Sequence, residues 1–258
     1  MSNIQGAFGN GKAFIGFLTG GDPAIAVTKG LIVAMEKAGA DIIEIGIPFS
    51  DPIAEGPVIS EANVRALRAG ATVEKIFTLV QEIRQTVKIP LVFLTYLNPV
   101  FRYGYDAFFA RCGECGVDGI IIPDLPYEES AEVKAYTAKH GVDLISLIAP
   151  TSEDRIREIA QNASGFIYLV SSMGVTGVRS AITTDLSAMV HAVRQTTRLP
   201  VAVGFGIHSA EQAREIAKIA DGVIVGSAIV KIIARHGANA EKPVCEYVKA
   251  MKEAVTGA

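Results

Sequence analysis

The sequence is poor in the features that mark several common roles. Its 258 residues carry 24 basic and 27 acidic side chains, a net charge of −3, and the basic residues form no large block. That balance gives no reason to expect nucleic acid as a partner. No apolar run approaches the roughly 18 residues of a membrane span. The start, MSNIQGAFGNGKAF, lacks the charged-then-apolar pattern of a signal peptide, so the expected compartment is the cytoplasm.

Reactive side chains are equally sparse. There are three cysteines, and Cys112 and Cys115 form a C-x-x-C. A redox pair sits best at a helix N-terminus, where the dipole lowers a thiol pKa. This pair closes an expected helix, in ARCGECGVDG, and no second pair or nearby His completes a zinc site. Reduced structural or surface thiols are therefore expected. His140, His191, His208 and His236 are scattered, with no metal-ligand spacing. His208 follows an expected strand, and a surface role is expected for it. No Lys lies inside an expected strand, which argues against a Schiff-base aldolase. No Ser nucleophile elbow is present.

What the chain does have is regular alternation. Apolar strand-like runs at 13–17, 41–47, 91–95, 119–122, 143–148, 166–170, 201–203 and 222–225 alternate with helical segments. Those helices include 24–38, 60–68, 73–86, 105–112, 130–140, 186–194 and 243–255, with another opening at the cap-like Thr151–Ser152 pair. Short apolar strands are expected where both faces are covered. No linker or low-complexity segment divides the sequence. Eight strands in strict alternation predict an α/β fold, one closed (β/α)8 TIM barrel with extra short helices, spanning residues 1–258 as a single domain. The alternative is an open doubly wound sheet. That fold more often carries G-x-G-x-x-G after its first strand, where this chain has T-G-G-D-P.

One stretch stands out, DIIEIGIPFSDPIAEGPVI at 41–59. Glu44 interrupts an apolar strand, and an isolated buried charge is very costly. It must be paired, protonated or functional. Alternation puts Glu44, Gly46 and Pro48 on one side and Ile43, Ile45 and Ile47 on the other. The loop beyond the strand adds Asp51 and Glu55. Partial burial at a barrel mouth would raise the Glu44 pKa and let it give and take a proton. The competing reading is a structural carboxylate bonded to backbone or a Tyr. Asp51 and Glu55 are weaker candidates, because acidic loop residues are usually solvated.

Barrel active sites are built at the C-terminal strand ends. The loops after the last three strands carry Gly174 to Gly177, Gly204-Phe205-Gly206 and Gly226-Ser227. Glycine lets backbone N–H groups approach an anion, and Gly226-Ser227 opens a helix, whose N-terminus favours phosphate. Together the loops read as a cradle for a phosphorylated small molecule. Phe17, Leu94, Tyr96, Ile121 and Tyr168 at other strand ends are candidates for the walls of a flat apolar pocket, or plain core. What remains is proton-transfer chemistry on a phosphorylated substrate, without metal or organic cofactor.

FLTGGDP, EIGIPFSDPIAEGPVI, PDLPYEES, YLVSSMGVTG, GFGI and VGSAIVKII, in this order and spacing, closely resemble the tryptophan synthase α chain family over nearly the whole length. The segment P-F-S-D-P-x-A-x-G-P is highly specific to that family. The resemblance implies a (β/α)8 barrel that cleaves indole-3-glycerol phosphate to indole and glyceraldehyde 3-phosphate, a retro-aldol reaction in tryptophan biosynthesis. It implies that Glu44 is the catalytic glutamate, protonating the indole ring at C3 and taking the glycerol hydroxyl proton. It implies that Glu55 is the second carboxylate, which holds the indole N–H. Phe17, Leu94, Ile121 and Tyr168 match positions around the indole, with Tyr96 beside them. Gly177, Gly206, Gly226 and Ser227 match phosphate-binding positions, with Phe205 beside them, and Thr176 matches a residue of a mobile loop.

The sequence departs from the family at Glu55, where the family pattern has Asp in A-D-G-P; the charge is kept on a side chain one methylene longer. The resemblance also implies a partner. This is a pyridoxal-phosphate-dependent β chain, in an assembly of two α and two β chains, with the pyridoxal phosphate held by the partner. Pro48, Asp51, Pro52 and the segments around Asn98 and Pro126 would form much of that interface. Three other readings stay open: a free-standing lyase, a mainly regulatory α subunit, and another phosphate-binding barrel such as a sugar-phosphate isomerase.

Overall fold

The computed structural model describes residues 3–150, 153–171, 186–204 and 206–258. Nine parallel strands run through it: β1 (Ala13–Thr19), β2 (Ile42–Gly46), β3 (Leu91–Leu94), β4 (Gly119–Ile121), β5 (Asp143–Leu144), β6 (Ser146–Ile148), β7 (Ile167–Val170), β8 (Val201–Gly204) and β9 (Gly222–Val225). They form one sheet in the order β5-β4-β3-β2-β1-β9-β8-β7-β6. The two outer members are consecutive in the chain, with only Ile145 between them. The expected fifth strand, 143–148, is thus one extended segment shared by the two edges of the sheet. Its first half pairs with β4 and its second with β7. Strand tilt in a barrel demands such a stagger, and this segment closes the ring.

Twelve α-helices surround the ring among the described residues: α1 (Asn3–Gly6), α2 (Ile25–Lys37), α3 (Pro57–Arg68), α4 (Val73–Ile83), α5 (Leu97–Tyr103), α6 (Tyr105–Cys115), α7 (Ser130–Lys139), α8 (Glu153–Gln161), α9 (Leu186–Arg194), α10 (Ala210–Ile219), α11 (Ser227–His236) and α12 (Glu241–Thr256). Several ends follow directly from local chemistry. Thr72 accepts the Lys75 N–H at the start of α4, and Ser209 with Gln212 forms a capping box on α10. Pro57 takes the first turn of α3, where its missing N–H costs nothing. Gly116 ends α6 in the left-handed conformation. The expected cap at Thr151–Ser152 lies outside the described residues. Two short helices, α1 and α5, carried too little periodicity to be read from the sequence.

Two apolar layers result. Outward strand residues such as Phe14, Leu18, Ile43, Ile45, Phe93 and Ile120 pack under the helices. Inward ones, Ile15, Ile42, Val92, Ile121, Tyr168, Ala202 and Ile224, fill the barrel. At the N-terminal end Ile4 of α1 is fully buried in this inner cluster and seals the floor. Cys112 and Cys115 face the outer layer from α6 and are buried, so they are structural rather than surface thiols. Burial pushes the Cys112 thiol far above its ordinary pKa, the opposite of what a redox pair needs.

Candidate active site

The inward register of β2 decides where its carboxylate goes. Ile42 faces the barrel interior, so Glu44, two residues on, does as well. It sits beside Phe17 across the ladder to β1 and beside Val92 across the ladder to β3. The side chain is 1% exposed, and Oε1 has no hydrogen-bond partner among the described residues. Burial alone pushes its pKa up to about 8. Its carboxyl therefore holds a proton at neutral pH, with little cost to release it. A purely structural carboxylate would be tied to backbone or a basic group; this one is left with a free acceptor in the barrel mouth.

Tyr168 faces the same interior from β7. Burial, and after it the charge of Glu44, holds its phenol well above the ordinary tyrosine range. Room for the ring comes from Gly204 on β8, where a Cβ would lie 2.5 Å from the Tyr168 hydroxyl oxygen. Gly46 does the same for Phe17, whose Cζ would lie 2.9 Å from an added Cβ. Phe17 and Leu94 pack with Ile59 and Ala62 of α3 and Val230 of α11. Ile121 is fully buried in the inner cluster. The apolar wall residues expected from the strand ends are thus brought together. Tyr96 is an exception in its role: its hydroxyl accepts the Ala54 N–H at 3.0 Å, and its ring lies 5.4 Å from that of Phe49. It braces the loop after β2.

That loop separates its two acids. Asp51 is exposed and bonded to Ser50. Glu55, expected to be solvated like other loop acids, is half-buried instead. Its Oε2 accepts a hydrogen bond from Asn63 Nδ2 at 2.6 Å. Burial raises its pKa to about 7, against the downward pull of that bond.

Two strands from β2 in the sheet, beyond β9, α11 begins at Ser227 after Gly226, with no side-chain cap among the described residues. Its first N–H groups are thus available to an anion. Gly206 adopts a φ of 80°, a conformation that favours glycine. His208 does not reach into the site: its Nδ1 lies 2.9 Å from the Gly206 carbonyl oxygen, and Tyr247 donates to the His208 carbonyl. Both contacts brace the loop after β8. Thr176, Gly177 and Phe205 lie outside the described residues. Among the described residues no three His, Cys, Asp or Glu side chains gather as a metal site.

Two site features escaped the sequence reading. One is Asn63, a polar residue at i+4 from Ile59 on the buried stripe of α3 formed by Ile59, Ala62 and Ala66. That misplaced polarity was the available signal. The other is the pair of Asp22, 1% exposed, with Arg65, joined by two bonds of 2.8 Å. It ties the loop after β1 to α3, a long-range contact that no local pattern announces.

A barrel fold by itself leaves function open. The family described as tryptophan synthase alpha chain matches residues 5–256 of this sequence. The chain belongs to that family. It is 51% identical over 258 residues to the tryptophan synthase alpha chain of Lactiplantibacillus plantarum, covering 100% of this chain and 97% of that one. Against the alpha chain of Lacticaseibacillus casei the identity is 49%, covering 99% and 96%. The solved tryptophan synthase subunit alpha of Legionella pneumophila superposes with a TM-score of 0.91 at 34% identity, covering 100% of both chains. A tryptophan synthase complex from Pyrococcus furiosus matches with a TM-score of 0.85 at 35% identity, covering 93% of this chain and 98% of that one. The chain is a lyase of tryptophan biosynthesis, and its reaction is the retro-aldol cleavage of indole-3-glycerol phosphate. Alpha chains of this family work with a β chain in tryptophan synthase complexes.

Proposed function

We propose that Glu44 is the general acid and base of the cleavage. A carboxyl protonated at neutral pH can donate to C3 of the indole ring. The resulting carboxylate then removes the proton of the glycerol hydroxyl next to the bond that breaks. The C–C electron pair returns to the ring, the hydroxyl carbon becomes the aldehyde of glyceraldehyde 3-phosphate, and indole leaves. Glu44 ends as it began, having given one proton and taken one. The observation that carries this reading is its buried Oε1, without a hydrogen-bond partner among the described residues and beside Phe17 of the apolar wall.

Glu55 is the second carboxylate. Ionised, it accepts the indole N–H and stabilises positive charge developing on the protonated ring. Phe17, Leu94, Ile121 and Tyr168 enclose the indole, with Tyr96 holding the loop that carries Glu55. Gly226 and Ser227 at the start of α11 and Gly206 in the loop after β8 bind the phosphate through backbone N–H groups, together with Gly177 and Phe205. Thr176 belongs to the loop that shields the site from water. The whole chain, 1–258, acts as one barrel domain.

The partner is a β chain, two of each in the assembly, and pyridoxal phosphate is the partner's cofactor. Ile53, 75% exposed in the loop after β2, and Phe101, 64% exposed on α5, support a covered face there. Pro48, Asp51, Pro52, Asn98 and Pro126 belong to the same interface. The deciding experiment measures indole release from indole-3-glycerol phosphate by the purified chain, with and without an added β chain. Slow release that rises sharply with the β chain is the expected result. Fast release by the chain alone would make it a free-standing lyase. No release, with the β chain still stimulated, would make it a regulatory subunit and remove Glu55 from the chemistry.

A further inference from the structure

We propose that Asn63 is the positioning residue of Glu55, aiming its carboxylate and holding it ionised, and that the Asp22–Arg65 pair fixes the helix from which Asn63 acts. The proposal rests on the reading of Glu55 as the carboxylate that meets the substrate.

Asn63 is 4% exposed, on the stripe of α3 otherwise made of Ile59, Ala62 and Ala66. A buried amide among apolar neighbours is unfavourable unless its hydrogens are used. Its Nδ2 is used on Glu55 Oε2, at 2.6 Å. The bond occupies one carboxylate oxygen and so sets the direction of the other. Donation from an amide favours the charged form of the acceptor. Glu55 needs that help, because its own burial works against ionisation. The longer side chain at this position has one more rotatable bond than an aspartate, hence more orientations to restrict. A fixed donor restores the aim that the extra methylene loosens.

The helix must itself be fixed for this to work. Arg65 leaves the other side of α3 and meets both oxygens of Asp22. Asp22 lies three residues beyond the end of β1, the strand that carries Phe17. The apolar wall and the donor to Glu55 are therefore referenced to one strand.

The test is the pH profile of kcat/KM for indole release by full-length Asn63→Ala and Asn63→Asp, the second being isosteric. Loss of one hydrogen bond to a charged group shifts a pKa by about one unit. Asn63→Ala should move the acidic limb up by about that much, losing about fivefold relative to wild type at pH 7 and little near pH 9, where loss of the Glu44 proton lowers both proteins equally. Asn63→Asp should move it further, since a second carboxyl disfavours ionisation of the first. In a Glu55→Gln background Asn63→Ala should add no further loss. A uniform loss at all pH values, or an unshifted limb in the isosteric variant, overturns the positioning role. Wild-type cleavage by Glu55→Gln overturns instead the reading on which the proposal rests. Arg65→Ala should reproduce part of the shift at a distance; an unshifted profile there removes the Asp22–Arg65 clause.

Discussion

The two ends of the barrel treat their carboxylates in opposite ways. At the N-terminal end, the acids that precede strands are used up by structure. Asp41, before β2, accepts the Phe14 N–H of β1 at 2.6 Å and pairs with Lys252 at 2.7 Å. Asp118, before β4, accepts the Leu91 N–H of β3 and pairs with Arg84. Asp221, before β9, accepts the Val201 N–H of β8 and pairs with Arg194. One device recurs three times: an acid locks the start of the neighbouring strand and is neutralised by a helix cation. At the C-terminal end, Glu44 Oε1 and the Thr19 hydroxyl are buried without hydrogen-bond partners among the described residues. The contrast has exceptions: Asp143 Oδ2 is unpartnered at the floor among the described residues, and at the mouth Asp22 pairs with Arg65, Asp124 accepts the Leu97 N–H and Glu55 accepts from Asn63. A buried polar atom left unsatisfied costs about 1–3 kcal/mol. At the mouth Glu44 thus bears a cost that the three paired acids of the floor avoid.

The contrast can be broken most sharply at Glu44. Glu44→Gln should lower indole release by about 10³-fold, the range of general acid–base catalysis, with an unchanged circular dichroism spectrum. Near-normal turnover would remove Glu44 from its role. The same variant tests the strain. The folded Glu44 pKa of about 8 lies above the ordinary glutamate value of 4.5. The folded state thus binds the extra proton between those values. The associated stability is full below the lower value and is lost as pH rises through about 8. Glu44→Gln does not titrate, so it should gain on the wild type by a few kcal/mol between pH 5 and pH 9 in urea unfolding. A constant difference across that range would mean that Glu44 is not strained.

The floor should respond in the other sense. Asp118→Ala leaves the Arg84 guanidinium without its carboxylate and the Leu91 N–H without its acceptor. It should cost about 3 kcal/mol in urea unfolding while the folded protein cleaves normally. Loss of activity without loss of stability would erase the distinction between the ends. Glu55→Ala should cost about 10² in rate and Glu55→Asp under about tenfold, both without loss of fold. Full activity in Glu55→Ala would make Glu55 an ordinary loop residue.

The alternation of apolar runs located every barrel strand to within two residues, because a strand buried on both faces is written as a continuous apolar run. Glu44 was legible for the same reason, a charge where the run allows none. The glycine groups after the last three strands stand out as composition, and the phosphate role proposed for them rests on that signal and on the uncapped start of α11. The split of 143–148 was not, since partner choice along a strand depends on barrel stagger rather than residue type. A loop acid such as Glu55 reads as solvated from sequence, and its half-burial and its bond to Asn63 of α3 emerge only in the folded chain. Asn63 shows the same limit from the other side: its polarity was visible, its partner was not.

The sequence by itself determined the order of strands and helices, the inward face of β2 and the family to which the chain belongs, since periodicity and motif spacing are local properties. The tertiary structure alone decided which carboxylates are neutralised by a cation and which are buried without one. Charge state depends on burial and on partners distant in the chain, such as Asp41 with Lys252, 211 positions away.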